Sequence, residues 1–157
     1  MSPVPERLQA ILDTFEMFPD PADRTNLLLG YADAFKEVPP EVAARPFDRS
    51  HQVPQCESDA YVWALKMPDG TLRLHFAVEN PSGVSARALA AILEKSLSGL
   101  PPEQVATVDC SIVERVFRQN ISMGKGMGLM AMVNAVTALA RRAASGKSGQ
   151  EEREPPA

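Results

Sequence analysis

Ala60-Tyr61-Val62-Trp63-Ala64-Leu65-Lys66-Met67-Pro68-Asp69-Gly70-Thr71-Leu72-Arg73-Leu74-His75-Phe76-Ala77-Val78 is the stretch on which the fold turns. Pro68-Asp69-Gly70 at its centre is a turn signal. Before it, Tyr61, Trp63, Leu65 and Met67 alternate with Ala60, Val62 and Ala64. After it, Leu72, Leu74, Phe76 and Val78 alternate with Thr71, Arg73, His75 and Ala77. Period two on both sides of a turn predicts a β-hairpin. Two strands are marginal by themselves in water, so helices must cover the apolar face.

Helical spacing flanks the hairpin on both sides. Upstream, Leu8, Ile11, Leu12, Phe15 and Phe18 share one face of a helix over about 5–18. Asp20-Pro21 caps and starts a second helix, in which Leu28, Tyr31, Ala32 and Phe35 repeat the spacing to about 36. Residues 37–54 carry Pro39, Pro40, Pro46 and Pro54 and read as a long loop with a short strand near 50–53. Downstream, Asn80-Pro81-Ser82-Gly83 closes the hairpin, and Leu89, Ile92, Leu93 and Leu97 set a helix over about 84–98. One turn is expected from Pro101-Pro102-Glu103, and a short helix around Ile112, Val113, Val116 and Phe117. Asn120 to Gly128 is glycine-rich and reads as irregular, before a last helix over about 127–143 built on Leu129, Met132, Val133, Val136 and Ala140. The order is helices, hairpin, helices, the pattern of an α+β fold with a small antiparallel sheet packed against several helices. The expected organisation is one domain over 1–143 and a disordered tail over 144–157, where Ser, Gly, Gln, Glu and Pro dominate.

Length and charge narrow the function classes. A chain of 157 residues supports one core without a metal or disulfide staple. Sixteen basic against 20 acidic side chains, a formal net charge of −4, argue against a nucleic-acid binder. No run of about 20 apolar residues predicts a membrane helix. Met1-Ser2-Pro3-Val4-Pro5-Glu6-Arg7 has no basic start and apolar run of the signal-peptide kind, so a cytoplasmic protein with free thiols is expected. Two cysteines, Cys56 and Cys110, cannot by themselves complete a four-ligand zinc site or hold an iron–sulfur cluster.

Cys56 is the candidate for chemistry. It sits in Val53-Pro54-Gln55-Cys56-Glu57-Ser58, between a proline-broken loop and a strand. A thiol on a loop tip can be reached by a partner, and the alternative is a cysteine that fills a small hole. Cys110 leads into an apolar helical segment and reads as packing. His51 lies five residues before Cys56; it is either the base of a Cys–His pair, a metal ligand or an ordinary loop histidine. His75 is out of phase with Leu74 and Phe76 and is expected on the surface. Gly124-Lys125-Gly126-Met127-Gly128 either presents backbone N–H groups to an anion or is a plain loop before a helix. Lys125 there is a cation that would favour a nearby thiolate. Met123, Met127, Met130 and Met132 are core filler or an adaptable contact surface.

Two of these segments together resemble a known family. Val53 to Ser58 followed by Ala60-Tyr61-Val62 is similar to the active-site segment of the SufE family of cysteine desulfuration proteins. Asn120 to Met132 is similar to that family's late block, which carries Arg where this chain has Lys125. The element order matches over roughly 5–143. The resemblance implies a SufE/IscU-like α+β fold. It also implies a sulfur acceptor for a PLP-dependent, SufS-type cysteine desulfurase, with Cys56 as the acceptor. The chain would stimulate that enzyme and pass sulfur to iron–sulfur scaffold proteins, with no cofactor of its own because the PLP is the partner's. Neither nucleic acid nor membrane is an expected partner. Cys56 is then expected on a mobile loop over an apolar hollow that shelters the loaded sulfur. Two other readings stand beside it: a non-catalytic interaction module, and a cysteine hydrolase using Cys56 with His51 or His75.

Overall fold

The computed structural model describes residues 4–54, 56 and 58–146. Helix α1 (Glu6–Glu16) buries Leu8, Ile11, Leu12 and Phe15, the face read from the spacing. Phe18 does not join them. The helix stops at Glu16 ahead of Pro19-Asp20-Pro21, and Phe18 is left exposed. Asp20 then accepts a hydrogen bond from the Ala22 N–H (2.9 Å) and Pro21 opens α2 (Pro21–Ala34).

The hairpin forms as its alternation requires. Strand β1 (Ala60–Lys66) pairs antiparallel with β2 (Leu72–Val78), with Ala60 opposite Val78 and Lys66 opposite Leu72. At the turn Gly70 has φ +88°, and Asp69 accepts from both the N–H and the hydroxyl of Thr71. Ala60, Val62, Leu72, Leu74, Phe76 and Val78 face the main core. The helix that fills this core is α3 (Val84–Leu97), whose Ala88, Leu89, Ile92, Leu93 and Leu97 are fully buried. Its buried Ser96 hydroxyl donates to the Ile92 carbonyl (2.7 Å), so that hydroxyl is not stranded.

The other face of the hairpin is covered too, by the proline-rich segment. Tyr61 and Trp63 point there with Ala77, and Val38, Val42, Ala43 and Phe47 close over them as a second apolar cluster. Val38 N–H donates to Phe76 C=O (2.9 Å), and Arg45 bridges Glu37 and Glu79 while lying over the Phe47 ring. The strand expected near 50–53 is only a bridge between Gln52 and Tyr61, preceded by a 3₁₀ turn at Arg49–His51.

After α3 come one turn, α4 (Pro102–Val105), then α5 (Ile112–Phe117) and a 3₁₀ turn, Arg118–Asn120. The last helix corrects the sequence reading. It does not begin near 127 after an irregular stretch. It begins at Met123, capped by Ser122, whose hydroxyl accepts from the Lys125 N–H (3.2 Å). A side-chain cap outweighs the weak helix propensity of Gly124, Gly126 and Gly128. This helix, α6 (Met123–Ser145), runs past the expected boundary at 143 and is closed by Gly146 with φ +79°. The expected tail therefore starts inside the helix, and its remainder, 147–157, lies outside the described residues.

Candidate functional site

Cys56 is held by the loop that carries it into β1. Val53 N–H donates to Ala60 C=O (2.8 Å), so the chain leaves the sheet at Val53 and returns to it at Ala60. Inside that span Asp59 N–H donates to Cys56 C=O (3.1 Å), and Asp59 takes the left-handed conformation (φ +52°) that Asp tolerates better than most residues. The far side of the loop is pinned to the end of β2. Glu79 N–H donates to Asp59 C=O and Asn80 N–H to Ser58 C=O, both at 3.1 Å. Arg87 from α3 donates to the Asn80 carbonyl (2.9 Å).

The Cys56 side chain is half-buried and packs on the main core. It lines a hollow of about 30 Å³ with Ser58, with Gly83, Ser85 and Ala86 at the start of α3, and with Gly124, Lys125, Gly128 and Leu129 at the start of α6. A cavity of about 10–15 Å³ already holds one water molecule, so the hollow has room for a further atom of sulfur's size. Gly124 and Gly128, four residues apart, present no side chain to it. Two helix N-termini thus meet at the thiol, with Lys125 beside them. The Ser85 and Ala86 N–H groups have no hydrogen-bond partner among the described residues. Negative charge on a sulfur there meets the positive ends of two helix dipoles and a cation. An apolar hollow was expected, and two hydroxyls and an ammonium group stand beside its apolar lining.

The other sequence candidates fall elsewhere. Cys110 is half-buried against the core in the turn before α5 and does not line the hollow. His51 stacks on Trp63, with ring centroids 5.2 Å apart, and its Nδ1 donates to the Val62 carbonyl (3.1 Å). His75 sits opposite Trp63 on the outer face, half-buried, not freely exposed. Burial, and then the charge of Arg73, lowers its pKa below the ordinary histidine value. Neither histidine lines the hollow, so a Cys–His pair is not assembled. Among the described residues no group of three His, Cys, Asp or Glu side chains gathers as a metal site. No helix among them is long and apolar enough to cross a membrane. Sequence reasoning missed the α3 side of the hollow. Gly83 immediately before a helical apolar pattern was the available signal, masked by its place at the end of the hairpin.

The family model for SufE, an Fe-S metabolism associated domain, matches residues 9–140. The chain belongs to the SufE family. A chloroplastic quinolinate synthase of Oryza sativa subsp. japonica is 33% identical over 103 residues, 66% of this chain. The match spans only 14% of that protein. A solution structure of a hypothetical protein from Thermus thermophilus superposes with a TM-score of 0.71 at 28% identity. It covers 91% of this chain and 99% of that one. The SufE-family match spans the Cys56 loop, the hairpin and the first five turns of α6, so both walls of the hollow lie inside the family domain.

Proposed function

We propose that Cys56 accepts sulfur from the persulfide of a PLP-dependent, SufS-type cysteine desulfurase, stimulates that enzyme, and hands the sulfur on for iron–sulfur cluster assembly. Membership of the SufE family ties the chain to Fe-S metabolism. The observation that carries the finer reading is the small hollow beside the Cys56 thiol, set between two helix N-termini and Lys125.

The chemistry is sulfur exchange without net redox change. The Cys56 thiolate attacks the terminal sulfur of the donor persulfide. A new S–S bond forms as the old one breaks, and the donor cysteine leaves as a thiolate with the electron pair. Cys56 then carries the persulfide. The loop swings out to meet the donor and returns, so that the outer sulfur occupies the hollow and is shielded from oxidants and reductants. The PLP belongs to the desulfurase, and this chain supplies the thiol and the shelter. The cytoplasm is the compartment in which this exchange is expected.

Incubation with a SufS-type desulfurase, PLP and cysteine tests this, with alanine release and intact mass as readouts. The expected product is one added sulfur, about 32 Da, on Cys56 with faster alanine release. Cys56→Ser should still bind the desulfurase but take no sulfur, and Cys110→Ser should take it as the parent does. Sulfur on Cys110 alone would overturn the assignment. Undiminished stimulation by Cys56→Ala would favour an interaction module.

A further inference from the structure

We infer that the outer edge of β1 is a docking edge for an extended peptide segment that carries an acidic side chain. The hydrogen-bond parity of the hairpin establishes the edge. Met67 N–H donates to Thr71 C=O and Glu79 N–H to Asp59 C=O, so the odd-numbered residues of β1 bond to β2. The N–H and C=O groups of Ala60, Val62, Ala64 and Lys66 therefore point away from β2. The first two are partly served. Val53 N–H reaches Ala60 C=O, and His51 Nδ1 reaches Val62 C=O. Beyond that the chain turns off into the 3₁₀ turn at Arg49–His51. The backbone groups of Ala64 and Lys66 have no hydrogen-bond partner among the described residues.

The contrast with β2 is direct. Along most of its outer edge the chain has come back: Leu100 and Gly99 pair with Leu72, the Ser98 hydroxyl accepts from Leu74 N–H, and Val38 N–H donates to Phe76 C=O. The open part of β1 has no proline or bulge to blunt it, and Lys66 Nζ is turned to the Ala143 carbonyl (3.4 Å). The edge opens into a groove of about 560 Å³ whose far wall is α6, through Ala135, Ala138, Leu139 and Arg142. Ala135 and Ala138 put only methyl groups on the α6 side of the groove, and an added strand would lie about 4.8 Å from β1. Only an extended backbone offers alternating donors and acceptors at the spacing Ala64 and Lys66 present. Arg142 has no carboxylate partner among the described residues, which selects an acidic side chain in the occupant. The groove shares no lining residue with the Cys56 hollow, so the edge stands whether or not Cys56 accepts sulfur.

Selection from a displayed library of random dodecapeptides, with counter-selection against Ala138→Trp, tests the edge. Ala138 is exposed, so the tryptophan fills the groove and leaves the core alone, and an unchanged thermal midpoint checks that. Enriched peptides are expected to carry Asp or Glu. Binding should be lost in Ala138→Trp and weakened about fivefold in Arg142→Glu, the upper scale of an exposed charge pair. N-methylation of alternate peptide amides should abolish it. Amide exchange at Ala64 and Lys66 should slow when a selected peptide is added. The proposal is overturned if no peptide is enriched, if enriched peptides still bind Ala138→Trp, or if protection appears elsewhere. It is equally overturned if the two amides become protected with rising protein concentration alone, because a second copy is then the occupant.

Discussion

Gly83 stands directly behind Ser58: a Cβ at position 83 would lie 2.8 Å from the Ser58 Oγ and 3.0 Å from its Cβ. The same atom would also come within 3.0 Å of Val78 Cγ1. Gly83 is therefore the contact that lets the Cys56 loop rest against the start of α3. Its φ of −81° is open to any residue, so the requirement is space and not backbone freedom.

Gly83→Ala should accordingly push Ser58 outward and Cys56 with it. The expected cost is about 1–3 kcal/mol of stability, the range for an overpacked contact. The Cys56 thiol should react severalfold faster with iodoacetamide while Cys110 is unchanged. Peptide mapping after timed alkylation separates the two. An unchanged Cys56 rate would mean that the loop absorbs the methyl group without opening.

Lys125 is the cation of the hollow. Lys125→Glu replaces attraction for a charged sulfur with repulsion and should slow sulfur acceptance by about tenfold in a partly exposed site. Lys125→Arg should retain most of the rate, because charge and not a planar fork is required. Stopped-flow or quenched mass spectrometry over the first turnover reads this. Equal rates in Lys125→Glu and the parent would remove Lys125 from the site.

Arg24 is nearly inaccessible and ties together the ends of two helices. Its guanidinium donates to the Phe15 carbonyl (2.6 Å) at the end of α1 and to the Arg115 carbonyl (2.8 Å) in α5. Burial, and then the charge of Arg118, lowers its pKa without removing its charge at neutral pH. Arg24→Met should destabilise by about 2–4 kcal/mol, since buried carbonyls lose their donors. Arg24→Lys should rescue little, because one ammonium cannot span both helices. Urea unfolding measures both.

His75 couples the hairpin to pH. Its folded pKa lies below the unfolded value, through burial first and Arg73 second, against the opposing charges of Glu94 and Glu41. The unfolded chain thus binds the proton first as pH drops. The stability held by the neutral ring is complete above the ordinary histidine range and is lost as pH falls through that range toward the folded pKa. His75→Gln should flatten the loss of stability between about pH 7.5 and about pH 5.5 relative to the parent. Denaturant midpoints at the two pH values decide it, and parallel losses in both proteins would refute it.

The elements themselves were legible in the chain because each is coded locally. The hairpin follows from period two around Pro68-Asp69-Gly70, α2 from Asp20-Pro21, and α3 from the spacing of Leu89, Ile92, Leu93 and Leu97. The start of α6 departs from its sequence reading for a local reason too. Three glycines outweigh Ser122 in the pattern, whereas the cap outweighs them in the molecule. Phe18 fits the face of α1 by spacing, but the helix ends before it.

Cys56 stands out by its loop setting, and the family by two short segments. What surrounds the thiol was not readable. Ser58, Gly83, Ser85, Gly124 and Lys125 come from three separate stretches of the chain, and no periodicity relates them. On β1, unlike β2, the sequence did not say which face needed helices, since both carry apolar residues. The tertiary structure decided that by size. Ala60 and Val62 of β1 admit α6 closely and β2 carries α3, while Tyr61 and Trp63 stand out on the other side under the proline-rich segment. Local patterning thus determined the elements and singled out the candidate thiol. Long-range packing determined the hollow, because a cavity exists only where several independent surfaces fail to meet.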